Sequence, residues 1–364
     1  GRAWDLSLNF TYGQYGGLAD LSFTDPWIKG DKYRTAFRAR VFLSREVPQI
    51  FQSQNNGSFY TASDVSSGFY NAPATAAAYS SNTTSSVGGP YASPTAAKAA
   101  NTALGVNNNW FTVDGNSVAL QRVGANVQFV RPLNGGDPFK KAPWSLVVGL
   151  SGQEVTPMNF SGQIMPYGYN TNTYSNGQTT VGNVICIAYN CAQHNQLVGL
   201  RVAATMNQLN DSRNPTKGNF LSLGTEQFVS VGPDSPTFNR MRASFTHYIP
   251  VNWLRLYKGC RPKPGQAADC KQALAFQASI GSNIGNLPTY EAFCLGGSNS
   301  VRGYYDCDLG VGKSFGEATI EYRFPLFSII SGELFVDGGS AFGTQANVTG
   351  NPGGLLQKPG QGFS

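Results

Sequence analysis

The sequence is poor in charged residues and has no long hydrophobic run. Asp, Glu, Lys and Arg make up 13% of its 364 residues, whereas about a quarter is usual in soluble domains. The absence of any run of about 18 apolar residues excludes a helical membrane span. A transmembrane β-barrel is compatible with both observations. A large secreted β-sandwich or β-helix is compatible with them too.

Histidines and basic clusters are also scarce. The chain has two His residues, and it shows no Ser-His-Asp arrangement, phosphate loop or metal-ligand spacing. We therefore expect no enzyme activity, no cofactor and no metal site. The net charge is +6, but Lys and Arg are scattered along the sequence, so a nucleic-acid partner is not expected.

Six cysteines fall into three close pairs, each inside one predicted loop or turn: Cys186 with Cys191, Cys260 with Cys270, and Cys294 with Cys307. Local, even-numbered pairing is typical of disulfides in an oxidising compartment such as the periplasm. Zinc bound by Cys186, Cys191 and His194 is the alternative, although the chain offers only His247 as a further histidine ligand.

Apolar and polar residues alternate along many segments. In "WDLSLNFT", for example, Trp4, Leu6 and Leu8 fall on one side and polar residues on the other, as in a β-strand. Several segments have the length of about ten residues that a tilted strand needs to cross a bilayer. We predict eleven strands: 4–12, 17–25, 32–45, 117–131, 144–154, 194–209, 218–230, 238–248, 272–282, 315–324 and 331–342.

The connections between these strands alternate between short and long, as in outer-membrane barrels. The long ones are 46–116, 155–193 and 283–314. Segment 46–116 is an insertion rich in Ser, Asn, Ala, Thr and Gly, and we interpret it as a surface loop. The stretch from Ser93 to Gly105 has the cap residues of a short helix, while a disordered loop is the alternative.

Two motifs stand in the last third of the chain. "GGSNSVRGYYD" contains Val301, Arg302, Gly303 and Tyr304, and "GELFVDGGSAFG" contains Phe335, Asp337 and Gly339. Together with "ATIEYRFPL" between them, they resemble the superfamily of outer-membrane barrel assembly and polypeptide-transport proteins. That superfamily includes BamA, TamA, the two-partner secretion transporters and the chloroplast Toc import channel. "LSFTDPWIKGDKYRTAFR" further resembles cyanobacterial members.

The resemblance implies an all-β fold, a transmembrane antiparallel barrel of sixteen strands of which about eleven are present. Residues 1–364 would then be a partial barrel, without the POTRA domains that precede it in this family. The absence of a signal peptide fits a mature or incomplete chain. The 283–314 segment, which carries the first motif, is expected to fold back into the lumen.

By the same resemblance, Arg302 meets acidic side chains on the inner wall. Alternation puts two candidate carboxylates on lumen-facing positions, Glu321 and Asp337. Arg binds a carboxylate through two parallel hydrogen bonds, a geometry that Lys does not reproduce. We expect this contact to hold the loop inside the barrel.

The function expected from the resemblance is that of a cyanobacterial-type assembly factor, which folds and inserts client β-barrel proteins into the outer membrane. Its partners would be the lipid bilayer, unfolded client proteins and periplasmic accessory proteins. A polypeptide or solute translocation pore is the alternative, as in two-partner secretion or import at the plastid outer envelope. Several lumen-facing arginines suit that alternative: Arg38, Arg40, Arg122, Arg240 and Arg242. An adhesin or a passive structural barrel is the third class.

Overall fold

The computed structural model describes most of the chain outside the long insertion. The described residues are 3–13, 16–48, 58–59, 119–137, 139–158, 162, 164, 166–173, 179–256, 260, 270–307, 309–327, 330–343 and 360–363. The helix predicted from Ser93 to Gly105 lies outside them.

The described chain is built almost entirely of strands. In chain order they are β1 (Asp5–Gly13), β2 (Gly16–Asp25), β3 (Ala36–Glu46), β4 (Ser58–Phe59), β5 (Ala119–Pro132), β6 (Trp144–Met158), β7 (Tyr167–Thr173), β8 (Thr179–Cys186), β9 (Asn195–Asn207), β10 (Gly218–Val229), β11 (Phe238–Val251), β12 (Gln272–Gly285), β13 (Phe293–Leu295), β14 (Gly310–Gly312), β15 (Ser314–Pro325), β16 (Ser331–Phe342) and β17 (Gly360–Phe363). Within the described part of the chain, single 3-10 turns occur at Tyr189–Cys191 and Thr289–Glu291. No helix among the described residues is long and apolar enough to cross a membrane.

Twelve strands form one antiparallel sheet in the order β1-β2-β3-β5-β6-β9-β10-β11-β12-β15-β16-β17. This confirms the all-β prediction, and all eleven predicted strands are present with small shifts at their ends. The count was one short, because β17 has only 4 residues, too few to show alternation. Two smaller sheets were also missed: β4-β7-β8 and β13-β14.

The two faces of the main sheet are chemically opposite. Apolar side chains on one face are open to the surroundings; Leu8 is 77% exposed, Ile280 62% and Val336 60%. The other face carries charged side chains, some of them buried, such as Asp337 with 1% exposure. A water-soluble protein shows the reverse arrangement. The apolar face is the one that a transmembrane barrel turns to lipid.

The sheet curves around its polar face. The Glu291 carboxylate lies within 2.9 Å of Arg122 on β5 and 2.6 Å of Arg240 on β11. These strands are four places apart in the sheet, which is about 19 Å in a flat sheet. We call the concave side the inner face.

The inner face is not uniformly polar. Near the end that carries the long loops, apolar side chains from several strands form a buried core that includes Leu120, Leu197, Phe228 and Phe238. Phe228 and Phe238 stack with their ring centroids 4.4 Å apart. The inner face is apolar at this end because the loop between β12 and β15 packs against the wall there.

Antiparallel neighbours place alternate connections at opposite ends of the sheet. The strand ends that flank segments 47–118, 159–194 and 286–313 lie at one end, which we call the long-loop end. The other, the short-loop end, carries the connections 26–35, 133–143, 208–217, 252–271 and 326–330.

We expect Val336→Arg to lower the free energy of unfolding in lipid vesicles by about 2–4 kcal/mol. The reason is that the side chain at 336 points outward into lipid near the middle of β16. Gln277→Arg on the inner face of β12 is the matched control, with little expected effect. Urea titration of the folded fraction measures both variants. Equal losses would contradict the assignment of the two faces.

Candidate functional site

Arg302 lies in the loop between β12 and β15 and binds the inner wall of β16. Its Nε donates to Asp337 Oδ2 at 2.7 Å and its Nη2 donates to Oδ1 at 2.9 Å. The backbone N–H of Arg302 donates to the same Oδ2 at 3.1 Å. One carboxylate thus accepts a two-pronged guanidinium contact and a main-chain hydrogen bond, which fixes the position and orientation of the loop.

Two further acids complete the surroundings of the guanidinium. Arg302 Nη1 donates to Glu321 and to Glu333, both at 3.0 Å. The guanidinium carbon lies 3.5 Å from the centroid of the Phe335 ring, a stacked cation–π arrangement. The structure therefore brings both predicted acids to Arg302 and adds a third acid, Glu333, that was not predicted.

The burial of the acids is graded. The side chain of Asp337 is 1% exposed, that of Glu321 9% and that of Glu333 50%. A carboxylate so fully removed from water is stable as an anion only when its charge is paired. Asp337 is therefore the partner on which the contact mainly depends, and Glu333 contributes least.

The motif glycines permit the close approach. Gly303 has φ +86°, in the left-handed region that favours glycine. A Cβ on Gly339 would lie 2.9 Å from Val301 Cγ2, so only a glycine lets the Val301 side chain rest on β16. This contact links Gly339 of the second motif to Val301 of the first.

The base of the motif loop is clamped covalently. Cys294 and Cys307 are disulfide-bonded, and β13 pairs with β14 beside them. Tyr304 donates a long hydrogen bond of 3.4 Å to the carbonyl of Phe363 on β17. All four motif residues from Val301 to Tyr304 therefore lie at the inner wall.

The other cysteine predictions have different outcomes. Cys260 is bonded to Cys270, as their spacing predicted. The side chains of Cys186 and Cys191 lie outside the described residues. His194, the third proposed zinc ligand, instead contacts Thr156 Oγ1 at 2.8 Å and Glu154 at 3.4 Å. The described residues contain no group of side chains that could hold a metal ion.

A second ionic cluster anchors the same loop, and sequence reasoning missed it. Glu291 binds Arg122 and Arg240, and its side chain is 9% exposed. Arg122 also contacts Glu46 at 3.1 Å, and Arg240 Nε donates to Asn283 at 3.2 Å. The available signal was that Glu291 is the only glutamate between 283 and 314.

The electrostatics of this cluster favour the ionised acid. Burial opposes ionisation of Glu291, but the guanidinium charges of Arg240 and Arg122 hold the pKa of the carboxyl below its usual value. Desolvation by burial also raises the pKa of the neighbouring Tyr290 phenol. Tyr290 stays neutral and donates to Asn195 Oδ1 at 3.0 Å, which ties the loop to β9.

The other three predicted lumen-facing arginines contact none of the acids in either anchor. Arg40 pairs with Asp20 at 3.1 Å. Arg242 lies over the rings of Phe293 and Phe315, 4.8 and 5.9 Å from their centroids. Arg38 is exposed.

A curved antiparallel sheet with an apolar outer face and charged groups inside defines a β-barrel membrane protein. Residues 1–70 and 71–364 match the model of the Omp85 superfamily domain. The chain belongs to the Omp85 superfamily. Its members are membrane insertases and transporters rather than enzymes.

Plant proteins are among its relatives. Outer envelope protein 80, chloroplastic, of Arabidopsis thaliana is 23% identical over 363 residues, covering 100% of this chain and 36% of the relative. Protein TOC75-4, chloroplastic, of the same plant is 35% identical over 140 residues, covering 38% of this chain and 33% of the relative. The chain thus spans about a third of the length of these relatives.

A solved structure shares the fold. BamA from Haemophilus ducreyi lacking POTRA domains 1–3 superimposes with a TM-score of 0.52 at 14% identity, covering 94% of this chain and 53% of that one. The likeness bears on the architecture of the barrel.

We expect Arg302→Ala to destabilise the docked state of the motif loop by about 3–5 kcal/mol, because Asp337 keeps a buried, unpaired charge. Arg302→Lys should fall between the wild type and the alanine variant, since Lys lacks the planar fork. Hydrogen exchange of residues 300–304 reports the docking. Arg38→Ala is the control; equal loosening in that variant would argue against a specific anchor.

Glu291→Gln should reduce protection of residues 287–293 by about 2–4 kcal/mol while 300–304 stay protected, because two arginines lose their shared anion. Glu46→Gln removes the exposed partner of Arg122 and should change protection by less than about 1 kcal/mol. Loss of protection in both segments of the Glu291 variant would show that the two anchors act as one.

Proposed function

We propose that this chain is most of the barrel domain of an outer-membrane protein assembly factor of cyanobacterial type, which folds and inserts client β-barrel proteins. On this proposal residues 1–364 form a partial barrel, 46–116 are a surface-loop insertion and 283–314 are a lumenal loop. The POTRA domains and the strands that close the barrel belong to the rest of the protein.

The observation that carries the proposal is the doubly anchored loop. Glu291 ties it to β5 and β11, and Arg302 ties it to β15 and β16. Between these anchors, Phe293, Leu295 and Val301 pack into an apolar cluster with Phe315 and other residues. A loop fixed on separate parts of the wall obstructs the lumen, which suits a machine that works at its wall better than an open conduit.

Catalysis of insertion in this proposal is non-covalent. A weakly paired strand edge presents backbone donors and acceptors that can template an incoming client strand. Arg302, Glu321 and Asp337 hold the loop and wall in a working conformation and take part in no bond-making step. The partners are the bilayer, unfolded client proteins and periplasmic accessory proteins.

The site of action proposed is the outer membrane of a cyanobacterium or another Gram-negative bacterium. The plastid outer envelope is the alternative, supported by the relative named outer envelope protein 80, chloroplastic. A polypeptide translocation pore is the second candidate function. Inward arginines without a carboxylate anchor, such as Arg242 over Phe293 and Phe315, favour it, because they offer a cationic surface to a passing chain.

Depletion of the full-length protein should lower the amounts of many outer-membrane barrels together, as measured by quantitative proteomics of the membrane. The physical reason is that unassisted strand insertion into a bilayer is slow, so unfolded clients are degraded. Unchanged barrels with the loss of a single secreted or imported protein would support translocation instead. Complementation with the Arg302→Ala variant, which should itself reach the membrane, is expected to restore the barrels only partly.

A further inference from the structure

The outer face carries a row of aromatic side chains near the short-loop end. Trp4 directly precedes β1, and Phe23, Phe37 and Phe129 follow at the same edge of the sheet on the successive strands β2, β3 and β5. Their ring centroids are separated by 5.8, 6.4 and 5.3 Å in turn. Aromatic girdles mark the level where the hydrocarbon of a bilayer meets the headgroups. The short-loop end of these strands therefore lies at headgroup depth.

Cations outnumber carboxylates beyond this row. The connections of the short-loop end contain these described cations: Lys29, Lys32, Arg34, Lys140, Lys141, Arg213, Lys217, Arg255 and Lys271. The described acids in the same connections are Asp31, Asp137 and Asp211. At the long-loop end, the described connections contribute only Arg302 and Lys313 as Lys or Arg, and Arg302 is bound to three carboxylates. The short-loop end is thus the cationic end of the barrel.

One cation of this end lies on the lipid-facing surface itself. Arg131 continues the outward column of Val127 and Phe129 on β5, and its side chain is 47% exposed. Its Nε donates to Thr35 Oγ1 at 2.9 Å, whereas Asp31 lies 3.8 Å away, beyond hydrogen-bond length. The Asp31 carboxylate is already occupied by the backbone N–H groups of Tyr33 and Thr35. The guanidinium therefore keeps unused donors.

A cavity of about 510 Å³ opens beside this guanidinium. Phe129, Leu146 and Val148 form its apolar wall, and Asp31, Thr35 and Arg131 lie at its polar end. The apolar wall belongs to the band that faces hydrocarbon, and the polar end lies at the level of the turns. A molecule that fits this cavity has an apolar tail and an anionic head.

We propose that this cavity binds one anionic glycerolipid of the surrounding bilayer, with an acyl chain along Phe129, Leu146 and Val148 and the headgroup phosphate at Arg131. The bound lipid ties the β2–β3 turn to the leaflet at the short-loop end. Charge complementarity selects an anionic lipid, because one Lys or Arg near a membrane surface raises the affinity for such lipids about fivefold.

The test uses the full-length protein in detergent, titrated with dioleoyl phosphatidylglycerol or dioleoyl phosphatidylcholine and followed by native mass spectrometry. We expect preferential binding of the phosphatidylglycerol, weakened about fivefold to tenfold by Arg131→Gln. Arg131→Lys keeps the positive charge and should retain most of the preference.

Two control variants separate charge from structure. Arg213→Gln removes the same charge from another turn of the short-loop end and should leave the preference intact. Lys217→Gln removes a second charge from that turn, away from the residues that line the cavity, and should also leave it intact. Free glycerol phosphate, which lacks the acyl chain, should compete poorly.

The proposal is overturned by equal binding of the two lipids, by equal losses in the Arg131→Gln and Arg213→Gln variants, or by full displacement by glycerol phosphate. Loss of the preference in Arg131→Lys, with the fold intact by circular dichroism, would also overturn it.

Discussion

The architecture depends on one charge contact between a loop and the wall that surrounds it. The Arg302 guanidinium and backbone N–H saturate Asp337, a carboxylate with 1% exposure. Neither ion is stable there alone, because burial without a partner costs several kcal/mol. The contact therefore favours a docked loop over a loop that swings in solvent. The glycine at 339 and the stacked ring of Phe335 serve this contact, since one makes room for Val301 and the other covers the guanidinium.

A single anchor would leave the rest of the loop free to move, and the structure supplies a second. Glu291 joins β5 and β11 across the curved sheet, and Tyr290 adds a hydrogen bond to β9. The Cys294–Cys307 bond lies between the two ionic anchors. The loop thus connects parts of the wall that are distant in the sheet order. We infer that the loop also resists deformation of the barrel, because widening the curve separates Arg122 from Arg240.

The outer surface follows a different rule from the interior. Its apolar side chains face lipid instead of a protein core. They are exposed because the surrounding medium is itself apolar. The aromatic row and the cations of the short-loop end then set the depth of the barrel in the bilayer. Inner and outer faces can carry such different chemistry because successive side chains of a strand point to opposite sides.

The sequence by itself determined the eleven long strands of the main sheet and their two faces, and its resemblance to the superfamily indicated the Arg302 anchor. Alternation is a local property with a period of two, so it placed Glu321 and Asp337 on the wall without knowledge of the fold. The tertiary structure decided the rest. The pairing of Glu291 with Arg122 and Arg240 joins residues 169 and 51 positions apart, and it depends on register and curvature that no local pattern encodes. The cationic end likewise exists only after folding, because antiparallel strands gather scattered turns at the same edge.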